Sequence, residues 1–152
     1  MEVVLLIGLQ GAGKSTFFRE RFFTTHLRIS LDLLRTRHRE DRFFDLCLET
    51  RMPFVVDNTN PSRAERQRYL LPARERGYRI AGYYFAAKIE DCLRRNLSRP
   101  AAQQVPLPGI LAAAARLERP ARDEGFDELF WVRSEDGSGD RFQIEEWRDE
   151  LR

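Results

Sequence analysis

Gly8 to Ser15 read G-L-Q-G-A-G-K-S, which satisfies the spacing G-x-x-x-x-G-K-[ST] in full. Glycines at these positions let successive backbone N–H groups curl inward around a polyphosphate. The helix that follows would then present its unpaired donors and positive dipole end to the same anion. Lys14 reaches the outer phosphates in such a loop, and the Ser15 hydroxyl sits where a magnesium ion bridging phosphate oxygens would be bound. The cradle so defined comprises Gly8, Gln10, Gly11, Ala12, Gly13, Lys14, Ser15 and Thr16. The chain is therefore expected to bind ATP or GTP with Mg2+. It lacks the guanine-reading pattern N-K-x-D, which favours ATP. Of the 26 basic residues only Lys14 and Lys88 are lysine. A compact ammonium suits a phosphate loop better than a planar guanidinium does.

Three further polar clusters follow apolar, strand-like runs, and each has a chemical and a plainer reading. Asp32, in Ser30-Leu31-Asp32-Leu33-Leu34-Arg35, could accept the proton of a hydroxyl that attacks a phosphoryl group, with Arg35 holding a phosphate of the acceptor. Equally, Asp32 and Arg35 could cap a helix and pair across its surface. Asp57, in Asp57-Asn58-Thr59-Asn60, is placed like an acid that helps hold magnesium, with Thr59 beside it as an acceptor contact; otherwise it is a turn residue. Arg95 and Arg99 share a helix face if the helix reaches that far, and polyphosphate would be the anion that relieves their repulsion. Arg95 could instead pair with Asp91, and Arg99 could be a solvated helix end. The run Arg35 to Arg39 with Arg42, Phe43 and Phe44 mixes cations and aromatics that could grip a strand and stack a base. Such phenylalanines are more often core, and His38 in a charged run is usually solvated.

These residues need strands to place them. Strand-like runs at 2–7, 27–30, 53–57, 78–85 and 128–132 alternate with helix-like stretches at about 14–24, 40–50, 61–76, 89–97 and 110–119. That alternation predicts a single-domain α/β fold, a parallel sheet with helices on both faces and a lid near 95–108. Asn60 reads as a helix N-cap ahead of Pro61, and Gly77 as the stop of that helix. The tail of about 134–152 carries no readable motif. In such sheets ligands collect beyond the carboxyl ends of the strands, where all four clusters fall.

At 152 residues the chain has the size of one domain, and a net charge of +2 with 33% charged residues gives no global signature of nucleic-acid binding. Cys47 and Cys92 have no metal or C-x-x-C spacing, and the chain shows neither a signal-like start nor a membrane-length apolar run. A reduced, cytoplasmic protein is expected, with no membrane partner.

Taken in order, the phosphate loop, S-x-D-x-x-R (Ser30, Asp32, Arg35), D-N-T-N (Asp57 to Asn60) and R-N-x-x-R (Arg95, Asn96, Arg99) followed by Val105-Pro106 resemble the polynucleotide 5'-hydroxyl kinases, P-loop phosphotransferases. The resemblance implies Asp32 as general base toward a 5'-OH end of DNA or RNA and Arg35 on the acceptor phosphate. It also implies Lys14 and Ser15 on ATP and magnesium, and Arg99 as the lid arginine. Members of that family are often fused to a 3'-phosphatase or ligase. The chain has no D-x-D-x-[TV] motif, so a kinase alone, or one with separate phosphatase or ligase partners, is expected. The third motif varies in the family, sometimes with an acid where this chain has Asn58. A kinase of a small metabolite or nucleoside, and a non-catalytic ATP-dependent binding module, are the competing readings.

Overall fold

Val3 to Ile7 are apolar at five consecutive positions, the pattern of a strand covered on both faces. They form the centre of the sheet in the computed structural model, which describes residues 1–135 and 141–149. The rest of the sequence-read tail lies outside the described residues. The strands are β1 (Glu2–Ile7), β2 (Leu27–Ile29), β3 (Phe54–Asp57), β4 (Arg79–Phe85), β5 (Glu128–Ser134) and β6 (Phe142–Glu146). The helices are α1 (Lys14–Arg21), α2 (Leu31–Leu34), α3 (Arg37–Thr50), α4 (Arg63–Glu75), α5 (Ile89–Leu97) and α6 (Leu107–Arg116). Strand order is β2-β3-β1-β4-β5-β6, parallel throughout except for the antiparallel edge pair β5 and β6. This is the expected single-domain α/β fold, with the chain leaving β1 to one side first and to the other later. The crevice at the carboxyl end of β1 and β3 is thus the switch point at which such sheets bind ligands.

Alternation along β1 divides the core in two. Val3, Leu5 and Ile7 pack with Phe44 and Leu48 of α3 and Tyr69 and Leu70 of α4; Val4 and Leu6 pack with Phe17 and Phe18 of α1 and Cys92 of α5. Each fully buried side chain of this kind contributes about 1.5–3 kcal/mol. Gly82, in β4, is required by close approach: a Cβ there would lie 2.6 Å from the Phe126 ring and 2.9 Å from Leu129.

Arg66 of α4 is wholly buried. It grips Glu124 in a two-point pair, Nε to Oε1 at 2.7 Å and Nη2 to Oε2 at 3.1 Å, while Nη1 donates to the carbonyls of Asn60, Pro61 and Glu118. This cluster pins the loop before α4 to the loop before β5. Removing one partner strands a buried charge. Glu124→Ala is expected to lower the unfolding free energy by about 3–5 kcal/mol, whereas Arg66→Met with Glu124→Leu recovers much of the loss. Urea unfolding of the three proteins measures this.

Several boundaries differ from the sequence reading. The N-cap of α4 is Ser62 and not Asn60: the Ser62 hydroxyl accepts from the Glu65 N–H at 3.1 Å and donates to its carboxylate. Asn60 instead takes a left-handed φ of 48° and donates its amide to Leu6 O, tying β3 to β1. α1 ends at Arg21, α6 begins at Leu107 with Pro108 in its first turn, and α2 is a four-residue helix of the kind that the plainer reading of Asp32 and Arg35 called for. α5 stops at Leu97, so Arg99 lies beyond it and does not share a regular helical face with Arg95. Phe44 is core, while Phe43 is 50% exposed. Among the described residues no helix is long and apolar enough to cross a membrane.

Candidate active site

The phosphate loop leaves β1 at Gly8, whose N–H donates to Thr59 O at 3.0 Å; the loop after β3 is thereby fastened to it. Gly11 has φ 83°, and a Cβ there would lie 2.6 Å from the Cys92 carbonyl, so only glycine lets the loop lie against α5. The Arg95 Nε donates to Gly11 O from the same helix. Gly13, with φ 102°, opens α1. Ala12 and Thr16 are held locally, Ala12 N on Leu9 O and Thr16 Oγ1 accepting from Arg19. The Gln10 Oε1 is buried without a hydrogen-bond partner among the described residues.

Lys14 is buried, its ammonium donating to Gly8 O at 2.7 Å and Leu9 O at 2.8 Å. Burial pulls its pKa down to about 8, against the upward pull of Asp57 and Asp32; Arg99 pushes the same way as burial. Three residues from three separate sequence clusters thus act on one ammonium. Asp32 lies exposed in the first turn of α2 and forms no ion pair with Arg35 among the described residues, so the helix-surface pair considered above is not made. Arg35 closes α2 with φ 75°, a conformation that costs an arginine about 1–3 kcal/mol and turns the chain between α2 and α3. Asp91 pairs with Arg94 at 2.9 Å. Arg99 has its backbone held on both sides, its N–H on Asn96 O and its carbonyl accepting from Gln104, while no ion pair holds its guanidinium among the described residues.

Asp57 ends β3 with its carboxylate 2% exposed, and its Oδ2 accepts from the Ser15 hydroxyl at 3.0 Å and from Arg28 Nε at 2.8 Å. A hydroxyl and a carboxylate side by side at the end of a phosphate loop are the oxygen donors that magnesium takes when phosphates and water supply the rest. The residues therefore fit that ion. No group of three or more acidic, His or Cys side chains forms a dedicated cage among the described residues.

Sequence reasoning assigned no role to three residues that organise this site. Asn58 accepts from the Leu31 N–H at 2.9 Å and donates to Glu40 Oε2 at 2.7 Å, so it fixes the start of the helix that carries Asp32. Glu40 is wholly buried and also accepts from Tyr69 at 2.7 Å and Arg37 at 2.8 Å; burial, then the Glu40 bond, pushes the Tyr69 phenol up and keeps it neutral. Asn96 clamps the segment that follows α5 by bonding both the N–H and the carbonyl of Val105, at 2.9 and 2.8 Å. An aspartate at position 58 could not donate to Glu40 and would set two negative charges against each other. Asn58→Asp should cost about 1–3 kcal/mol, with Glu40→Gln restoring stability in the double variant, as read by urea unfolding. A cleft of about 490 Å3 lies between α5 and the start of α6, lined mainly by Leu93, Leu97, Val105 and Leu107, and offers no cation for a phosphate.

A phosphate loop, a parallel sheet of this order and an acid beside the loop serine define the fold of the P-loop kinases. The family model AAA_33, described as an AAA domain, matches residues 35–120, and the chain belongs to that family. The chain is 26% identical over 129 residues to a bifunctional polynucleotide phosphatase/kinase of Schizosaccharomyces pombe, which covers 82% of the chain but 32% of that protein. It thus spans about a third of the relative's length. Among solved structures, Kti12 of Chaetomium thermophilum in complex with ADP-AlF3 superposes with a TM-score of 0.65 at 14% identity, covering 90% of this chain and 93% of that one. A gluconokinase of Sinorhizobium meliloti gives 0.60 at 17% identity over 87% and 82% of the two chains. The APS kinase CysC of Mycobacterium tuberculosis, bound to AMPPNP and APS, gives 0.57 at 17% identity over 91% of each. At these identities the likeness is one of fold.

Proposed function

We propose that the protein is an ATP-dependent, magnesium-dependent polynucleotide kinase that transfers the γ-phosphoryl group of ATP to the 5'-OH end of DNA or RNA. The observation that carries this reading is the phosphate loop with the Lys14 ammonium drawn into it and Ser15 hydrogen-bonded to Asp57 at the end of β3, with Asp32 and Arg99 within electrostatic reach of Lys14. The partial similarity to a polynucleotide phosphatase/kinase supports the choice of acceptor. In the reaction the 5'-oxygen bonds to the γ-phosphorus, the bond from that phosphorus to the β,γ-bridging oxygen breaks, and ADP leaves. The hydroxyl proton passes to the Asp32 carboxylate. Gly8, Gln10, Gly11, Ala12, Gly13 and Thr16 line the polyphosphate, with Lys14 and Arg95 neutralising it, and Arg99 meets the charge that spreads over the transferring group. Arg35 and Thr59 face the acceptor. Ser15 and Asp57 would hold magnesium, which when bound supplies charge neutralisation at the phosphate oxygens. Lys14 and Arg99 do the same from the protein side.

Both thiols are buried and unpaired, in keeping with a reducing, cytoplasmic setting, and separate phosphatase or ligase partners would complete end repair. The acceptor class is tested by binding of fluorescent oligonucleotides carrying a 5'-OH or a 5'-phosphate, over a series of salt concentrations. A nucleic-acid acceptor gives affinity that falls steeply with salt. Affinity no better than that for a free nucleoside or sugar, and indifferent to salt, would move the acceptor to small metabolites.

A further inference from the structure

The Ser15 and Asp57 pair already has a cation, and it comes from the protein. Arg28 of β2 places both Nε and Nη2 2.8 Å from Asp57 Oδ2, and its Nη2 also donates to Ser15 Oγ at 3.1 Å. The flanking Ile29 faces the opposite core, while the strand partner of Arg28, Val55, faces α1; Arg28 accordingly lies on the α1 side, 5.9 Å from the Phe18 ring. With the Ser15 hydroxyl and the guanidinium both donating to Oδ2, that oxygen is fully engaged. A divalent ion on the same oxygens would stand against a positive charge at contact distance. The Arg28 side chain is 28% exposed, so it has a way out toward solvent or an arriving phosphate.

We propose that Arg28 is a resident counter-cation of the Ser15 and Asp57 pair which a divalent ion has to displace, so that the site takes metal well only when nucleotide phosphates arrive with it. The proposal rests on reading Ser15 and Asp57 as the metal holders. It makes the free protein a poor metal binder and couples metal to nucleotide, because phosphate offers the displaced guanidinium a new partner.

The test is titration of Mn2+ alone into nucleotide-free protein, read by electron paramagnetic resonance of the free ion. Arg28→Gln is expected to bind Mn2+ at least tenfold more tightly than the unaltered protein, and Arg28→Lys, which keeps a cation, to stay close to it. The gain should vanish when Asp57→Asn is added to Arg28→Gln. Circular dichroism reports the fold of each variant, and Arg28→Met, which keeps an apolar stem against Phe18, carries the comparison if the glutamine variant unfolds. Equal or weaker Mn2+ binding without the arginine would overturn the role of Arg28 and leave the kinase reading standing. A gain that survives Asp57→Asn would instead remove Asp57 as a metal holder.

Discussion

Asp32→Ala should lower the rate of phosphoryl transfer by about 10²–10⁴, the range typical of losing a positioned general base, while changing ATP affinity no more than a few-fold. Asp32 is exposed in the first turn of α2, and its only described influence on the nucleotide side is the modest pull of its charge on Lys14. It thus has little part in holding the phosphate loop together. Asp32→Asn separates charge from base: the amide keeps shape and cannot take the proton, so it should be nearly as inactive. Single-turnover transfer with a 5'-OH oligonucleotide and calorimetric ATP binding give the two numbers. A transfer rate within threefold of normal in either variant would remove Asp32 as the base.

Arg99→Ala is expected to have an effect of similar or larger size. Arginines that neutralise a transferring phosphoryl group in GTPases are worth about 10³–10⁵ in rate, and Arg99, which forms no ion pair among the described residues, lies within electrostatic reach of Lys14. Its backbone is secured at Asn96 and Gln104, so the side chain turns about a fixed base. The loss should fall on kcat, with KM for ATP rising only a few-fold. Arg99→Lys should recover little, because an ammonium cannot fork across two phosphate oxygens. If the loss appears in KM alone, Arg99 is a ground-state binder and not the lid arginine.

The phosphate loop and the five parallel strands could be read from sequence because their signals are local: a fixed glycine spacing and unbroken apolar runs. The acids at the strand ends followed from the rule about carboxyl edges. Residues whose meaning depends on contacts distant in sequence could not be read. Arg28 looks like a charged residue in an edge strand, and nothing near it announces Asp57, 29 positions away. Glu40 looks like one more acid in an amphipathic helix, yet it is buried and explains why position 58 carries an amide. Asn60 was misread because Asn-Pro is a strong local cap signal, while the competing pattern Ser62-x-x-Glu65 starts two residues later and satisfies the orphan N–H of α4. β6 pairs with β5 across a stretch without a motif, so only the sheet edge reveals it.

The most direct test of the kinase assignment is transfer of label from γ-labelled ATP with magnesium to 5'-OH DNA and RNA oligonucleotides, beside nucleosides and gluconate, with Asp32→Ala as control. The account predicts label at oligonucleotide 5' ends that disappears in the variant. Label on a small molecule instead, or tight ATP binding with no transfer to any acceptor, would contradict it.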